Sequence, residues 1–344
     1  MPGLSVEDYH IGWVCALPKE MTAALSMLDE EHQMLEGQPH NDDNSYALGR
    51  IHNHNVVVAC MPAGADGLVN AANVARNMVR TFPALRVCLM VGIGGGIPNL
   101  GKGNDIRLGD IVVSQPNGTL GGVVQYDKGK AESGGKFVLK GQLNQPPPVV
   151  LQTLARLQAE HDGRDSWVPD YMKRAIERKP KMKRTGYALP TAPDRLHRRE
   201  CLHCSECCNR PDCHDCRDYG KDSQSLTVDC AANHEIRDER EESSPIIHYG
   251  TIASANQVVK DALVRDRLGQ QFGALCVEME AAGLMNHFPC LVIRGICDYA
   301  DTHKNDAWHP YAAMAAAAYA KEVLYYVNVA QASHEKPIQQ VIGK

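Results

Sequence analysis

The chain has 344 residues, 44% of them hydrophobic and 22% charged, with 36 basic against 41 acidic side chains for a net charge of −5. It is long enough to bury a sizeable core, in one large domain or two small ones. Its mild acidity gives no global pull toward nucleic acid or an anionic membrane.

No apolar run reaches the roughly 18 residues needed to span a bilayer. The opening "MPGLSVEDYH" carries acids and no apolar h-region, so a secretory signal is not expected and the cytoplasm is the expected location. In chain order, "YHIGWVCAL" (Tyr9–Leu17) predicts a buried strand, and "PKEMTAALSMLDEEH" a helix with Pro18 in its first turn. "NVVVACM" (Asn55–Met61) predicts a strand, and "GLVNAANVARNMVRTF" (Gly67–Phe82) a helix ending before Pro83. "RVCLMVGIGGGIP" (Arg86–Pro98) is a strand running into a glycine-rich turn, and "GDIVVSQP" (Gly109–Pro116) another strand.

The alternation returns after residue 245. "IIHYGTIAS" (Ile246–Ser254), "ALCVEME" and "CLVIRGICDYAD" predict strands; "NQVVKDALVRDRLGQQF", "AAGLMNHF" and the alanine-rich "HPYAAMAAAAYAKEVLYYVNVA" predict helices. Strand and helix in alternation predict an α/β fold, a single domain over 1–330 with a central mixed, twisted sheet flanked by helices. Residues 130–245 break the pattern with "QPPPVV", a basic run (Met172–Arg184), a cysteine cluster and a charged tract, and read as a partly loop-like insertion. Residues 331–344 read as a flexible tail.

Four short segments carry chemistry. Glu20 opens the first helix; a lone Glu there more often serves the helix dipole or a cap. "VGIGGGIP" (Val91–Pro98) offers bare backbone at Gly92 and Gly94 that a ligand can approach closely, though glycine runs fit many turns. "VEMEAAG" (Val277–Gly283) sets Glu278 and Glu280 two apart at a strand end, where alternation points both to one face. "RGICDYAD" closes an apolar strand with Asp298, which alone could be a helix cap. In α/β folds ligands bind beyond the carboxyl ends of the strands, where these residues fall.

In this order, "IGWVCALPKEMTAA", "VGIGGGIP", "LGDIVVS", "HYGTIASANQVVKD", "VEMEAAGLMN" and "VIRGICDYADTHKN" resemble the nucleoside phosphorylase and nucleosidase superfamily, over about 9–127 and 246–326. The likeness is greatest to the branch that includes methylthioadenosine/S-adenosylhomocysteine nucleosidase and to fungal nucleoside-phosphorylase-like proteins. The resemblance implies a glycosidic-bond chemistry in which the departing purine must be protonated. It implies that Asp298 protonates nitrogen 7 and that Glu20 orients and deprotonates the attacking water. Glu280 would bind the ribose hydroxyls with Met279 on the sugar, bonds that strengthen as positive charge develops in the ring. Val258 and Val259 align with a slot for the purine edge. Glu278 is a partner of these groups or a sugar contact.

Phosphorylases of this superfamily hold phosphate with an arginine and a serine flanking the glycine turn. Met90 and Ile93 stand at those positions here and cannot do so. Glu20 would also repel phosphate, so hydrolysis fits better than phosphorolysis. Ile93 replaces the hydrolases' serine as well, a departure from both patterns. Lys304 could sit near a 5′-phosphate and Trp308 could stack on a base or wall the pocket; the plainer reading is a solvated loop with one anchored aromatic. The basic run offers a second phosphate candidate, although such runs are usually solvated faces. Fungal relatives acting on ATP then make adenine nucleosides or 5′-nucleotides the expected small-molecule substrates, in a stand-alone version of an effector. The resemblance implies a homo-oligomer, dimer or larger. The competing class is a non-catalytic nucleotide-binding or interaction module, against which Glu20, Glu280 and Asp298 count together.

Of 13 cysteines, six sit singly in apolar segments as core thiols, and seven fall between Cys201 and Cys230. Two CxxC pairs, Cys201 with Cys204 and Cys213 with Cys216, have the spacing of zinc knuckles, with a connecting loop shorter than usual. The expectation is a structural zinc, against a metal-free cysteine-rich loop. The glycosidase chemistry needs no cofactor.

Overall fold

The computed structural model describes residues 4–35, 37–133, 136–200, 233–240 and 244–342. The first half runs β1 (Ile11–Cys15), α1 (Pro18–Met27), β2 (Glu30–Glu31), β3 (Tyr46–Ile51), β4 (His54–Cys60), α2 (Gly67–Thr81), β5 (Val87–Gly96), β6 (Ile111–Ser114) and β7 (Val123–Gln125). A hairpin, β8 (Gly129–Glu132) and β9 (Lys136–Leu139), leads to α3 (Pro148–His161), α4 (Val168–Arg178) and α5 (Lys181–Arg184). The second half runs β10 (Ile247–Ser254), α6 (Ala262–Phe272), β11 (Ala274–Glu278), α7 (Ala281–Leu284), β12 (Leu291–Asp298), α8 (His309–Tyr326), α9 (Val329–His334) and α10 (Ile338–Ile342).

Among the described residues, one mixed sheet of ten strands is ordered β11-β10-β6-β12-β5-β1-β4-β3-β2, with β7 beside β10. β1 and β12 are buried at every position, as central strands covered on both faces must be. β11 also turns back to pair antiparallel with the end of β5, Val277 opposite Gly95. The same Gly95 is the parallel partner of Asp298 on β12. The strands from β5 through β12, β6 and β10 to β11 therefore close into a ring. Closure brings the carboxyl ends of β5, β11 and β12 to one place.

One core lies between the sheet and the helices α1, α3, α4 and α8, the last buried through most of its alanine face. A second lies on the opposite face under α2 and α7. Much of 130–245 is part of this fold rather than loop. Pro148 opens α3, whose Val150, Leu154 and Leu157 join the first core. α4 buries Val168, Met172 and Ala175, an i, i+4, i+7 stripe beneath the basic residues. Arg178 of the basic run donates to the Ser26 and Leu28 carbonyls at the end of α1 (2.7 and 3.1 Å), so it serves structure.

The tail also differs from expectation: Ile338 is buried and its N–H bonds the Leu85 carbonyl (2.9 Å), docking α10 near α2. The six single cysteines are free thiols, five of them buried. The expected zinc ligands Cys201, Cys204, Cys213 and Cys216 lie outside the described residues. Among the described residues, no helix is long and apolar enough to cross a membrane.

Candidate active site

The first helix is positioned by its own glutamate. Pro18 and Lys19 precede Glu20, whose Oε2 accepts from the Ala16 and Leu17 N–H groups (2.7 and 2.9 Å), capping the helix start. Its Oε1 accepts from the Ile93 N–H on β5 (2.8 Å). The plain reading of Glu20 as a cap is thus part of the geometry. A carboxylate has about four lone-pair sites, so three bonds leave one free for a water or substrate hydroxyl. Burial raises its pKa, opposed by Arg294 and the three N–H groups.

Gly92 separates Glu20 from Arg294. A Cβ on Gly92 would lie 2.5 Å from both Glu20 Oε1 and Arg294 Nη1, so only glycine lets these side chains meet against β5. Arg294 is fully buried in the middle of β12. Its Nη2 donates to Glu278 Oε2 and lies 3.3 Å from Glu280 Oε2, while Nη1 is 3.4 Å from the Ile93 carbonyl. The sequence reading gave Arg294 no role. The available signal was one arginine inside the apolar run from Leu291 to Cys297, which must find carboxylates if buried.

Glu278 and Glu280 reach Arg294 by a different route from the one alternation predicts. β11 ends at Glu278, and the chain turns so that Glu280 stands at the start of α7. Glu278 Oε2 accepts from the Glu280 and Ala281 N–H groups (3.1 and 2.9 Å) as well as from Arg294, making it an anchor inside the protein rather than a pocket wall. Met279 between them is half-buried. The pKa of Glu280 is raised to about 8: burial pushes it up, Arg294 draws it back, and Glu278 and Glu20 push it up again.

Asp298 closes β12. Its Oδ1 accepts from the Ala300 N–H (2.7 Å), which Ala300 presents from a left-handed conformation (φ 52°). A Cβ on Gly95 would stand 2.8 Å from that oxygen, so the bare strand gives Asp298 its place. Oδ2 receives the Cys297 thiol (3.3 Å) and the Lys304 ammonium (3.3 Å). Lys304 therefore sits on the acid's own oxygen. Nearby, Lys19 Nζ lies 3.2 Å from His309 Nδ1.

Trp308 lies within the first core, edge-on to Tyr311 (centroids 5.7 Å) and against Gly109, not face-out where a base could stack. Val258 is 47% exposed, whereas Val259 is buried with Ile97, Val277 and Ala300. Met90 is buried in the second core and Ile93 packs partly buried against the first.

Among the described residues, Cys297, Asp298 and His309 bring ligand atoms within 4.8 Å of one another. The ammonium groups of Lys304 and Lys19 stand on two of these ligands, and burial pushes the Cys297 thiol well up, so the set does not suit a cation. The site sets three carboxyl groups about the glycine strand: Glu20 against Gly92, Asp298 against Gly95, and Glu280 on the buried Arg294 beside Gly92.

The capping geometry makes Glu20→Gln costly. The amide oxygen can keep either the bonds from Ala16 and Leu17 or the bond from Ile93, and its NH₂ then faces an N–H donor. We expect a loss of about 1–3 kcal/mol in stability, read by thermal and denaturant unfolding; an unchanged melting temperature would contradict the capping geometry.

The family model described as Phosphorylase superfamily matches residues 191–325. A nucleotide-binding leucine-rich repeat (NLR)-like protein of Hyaloscypha variabilis is 43% identical over 330 residues, covering 95% of this chain and 30% of that protein. The ATP nucleosidase Cap17 of Escherichia coli is 32% identical over 104 residues, 28% of this chain and 20% of that protein. The chain thus spans less than a third of the length of either relative. In structure, it is similar to a 5′-methylthioadenosine/S-adenosylhomocysteine nucleosidase variant of Helicobacter pylori solved with 5′-methylthioadenosine in the active site. The TM-score is 0.55 at 16% identity, over 92% of this chain and 98% of that one.

Proposed function

This chain belongs to the phosphorylase superfamily, and on that premise we propose that it hydrolyses the N-glycosidic bond of adenine nucleosides or their 5′-nucleotides, ATP included. The observation that carries the reading is that Glu20 and Asp298 meet one glycine strand, at Gly92 and Gly95, with Glu280 beside Glu278 on the buried Arg294 that also meets Gly92.

In this reading a water attacks the anomeric carbon and passes a proton to Glu20. The bond from that carbon to nitrogen 9 breaks with its electron pair going to the base. Asp298 gives nitrogen 7 a proton, so the base leaves neutral. Glu280 accepts from the ribose hydroxyls and stabilises the cationic ring. The products are free adenine and ribose or ribose phosphate.

Water is favoured over phosphate by charge. Arg294 is committed to two carboxylates, and Glu20 stands beside it. A phosphate there would find no free guanidinium to bind it. Lys19 and Lys304 bring ammonium groups to the Asp298 edge, which supports phosphorylated substrates, as does the name of the Escherichia coli relative.

The test is a panel of adenosine, AMP, ATP, inosine and methylthioadenosine, with and without phosphate, scored for free base. We expect adenine release that does not need phosphate. Release that requires phosphate would replace the reading with phosphorolysis, and release from none would favour a nucleotide-binding module.

A further inference from the structure

The segments that flank the cysteine-rich stretch form a stem beside the acid. Leu196 and Glu235, and Arg198 and Asn233, are joined by backbone hydrogen bonds (2.8 and 3.2 Å), with His197 opposite His234. This stem touches the loop Tyr299–Lys304, which begins one residue after Asp298. Tyr299 Oη donates to Asp194 Oδ1 and accepts from Arg237 Nη1 (2.9 Å). Arg237 Nη2 donates to Asp194 Oδ2 (2.9 Å), so the guanidinium binds the hydroxyl and its acceptor together. The His197 ring stacks on His303 (centroids 3.7 Å, planes 10° apart), two residues from Asp301 and one from Lys304. Burial, with the nearby His303, lowers the pKa of His197 to about 4, so its ring is neutral near pH 7.

The stem is itself bolted to the barrel. Arg240 grips Asp110 with both Nη1 and Nη2 (2.6 and 2.7 Å), and Asp110, almost fully buried, also bonds His248 (3.0 Å). Asp110 begins the β6 side of the ring. The stem therefore links a fixed point of the barrel to the loop whose backbone orients the acid.

From this geometry we propose that the stem is a positioning device for the proposed catalytic acid. Arg237, acting through Tyr299 and Asp194, holds the Tyr299–Lys304 loop so that Ala300 N–H and Lys304 Nζ stay on the two oxygens of Asp298. Two facts make the loop need such a hold. Ala300 adopts a left-handed backbone, which a residue with a Cβ adopts at a cost. Tyr299 is buried, and its hydroxyl would be left without partners if Arg237 and Asp194 withdrew. Arg237 touches no reacting atom. Its effect is on where the acid points and nowhere else in the chemistry.

The inference rests on the glycosidase reading, and the test separates the two. Arg237→Ala, Arg237→Lys and Tyr299→Phe are compared with the wild type on ATP and adenosine, whose base needs a proton to leave, and on 4-nitrophenyl β-riboside, whose nitrophenolate does not. We expect Arg237→Ala and Tyr299→Phe to slow adenine release roughly 10- to 100-fold in kcat, the cost of misplacing a catalytic group by about 1 Å. Nitrophenolate release should stay within about twofold, and Arg237→Lys should recover part of the loss. Amide hydrogen exchange at Tyr299–His303 should quicken in Arg237→Ala while β12 keeps its protection. Equal losses on both leaving groups, or no loss on either, would overturn the positioning role, as would exchange that rises throughout the domain in both variants. If the wild type releases no base at all, the glycosidase reading fails, and the exchange experiment still decides whether the stem holds the loop.

Discussion

Asp298→Asn should lower adenine release by roughly 10²–10⁴-fold, the usual contribution of a positioned general acid, while the protein stays folded. The substitution keeps the shape of the side chain. The amide oxygen can still accept from the Ala300 N–H that holds Oδ1 at 2.7 Å. The amide nitrogen then faces Lys304, whose side chain is 23% exposed and can swing into solvent, so the two donors need not clash. What the amide cannot do is hand a proton to nitrogen 7. The losses should therefore follow the leaving group: large for adenosine or ATP, small for 4-nitrophenyl β-riboside. Free base by chromatography and the melting temperature together decide it. Wild-type release in a folded Asp298→Asn protein would remove Asp298 from the role of acid, and the next donors within reach would be Lys304 and the Cys297 thiol.

The strands and the principal helices on either side of residues 130–245 are legible because they obey one rule. Runs such as "VCLMV" and "LVIRGIC" are buried on both faces, and the α/β alternation around them leaves few alternatives. Glu20, Glu280 and Asp298 are legible as a set because each interrupts such a pattern at a strand end. Other features are hidden by competing signals. The stripe Val168, Met172, Ala175 is masked by the lysines and arginines that share α4, so a packed helix reads as a basic run. Glu278 and Glu280 read as two positions of one strand, whereas the strand stops at the first and the second stands at the start of a helix. Arg294 is visible as an anomaly, but its three carboxylate neighbours come from two distant segments, Glu20 near the start of the chain and Glu278 with Glu280 near its end, and only the fold brings them together. The same holds for Arg237 and Arg240: in sequence they belong to a charged tract, and their partners Asp194, Asp110 and Tyr299 are 43 to 130 residues away. Trp308 shows the opposite failure, a polar-flanked aromatic that looks available to a ligand and instead fills the core beside Tyr311.

Arg294→Met should produce the largest loss of stability, about 3–5 kcal/mol, because it removes one partner of a buried ionic cluster and leaves the other charges behind. The guanidinium is fully buried, and Glu278, Glu280 and Glu20 all depend on it for compensation. A drop of roughly 10 °C in melting temperature follows. The loss should also depend on pH, in a definite direction. Glu280 has its folded-state pKa raised from 4.5 to about 8, so the folded protein holds a proton that the unfolded chain releases in that window. A carboxyl raised in this way favours the fold below about pH 4.5, and that favour drains away as pH climbs through about 8. Without Arg294 the opposing pull on Glu280 and Glu20 is gone, and these two carboxyls lean still further toward their protonated forms. The gap in melting temperature between wild type and Arg294→Met should therefore be wider at pH 8 than at pH 5. A gap that is flat with pH, or that widens on acidification, would show that the arginine acts through packing rather than charge. The double variant Arg294→Met with Glu278→Gln sharpens the point: if stranded charge is the cause, neutralising the second partner should restore part of the stability that the first substitution removes.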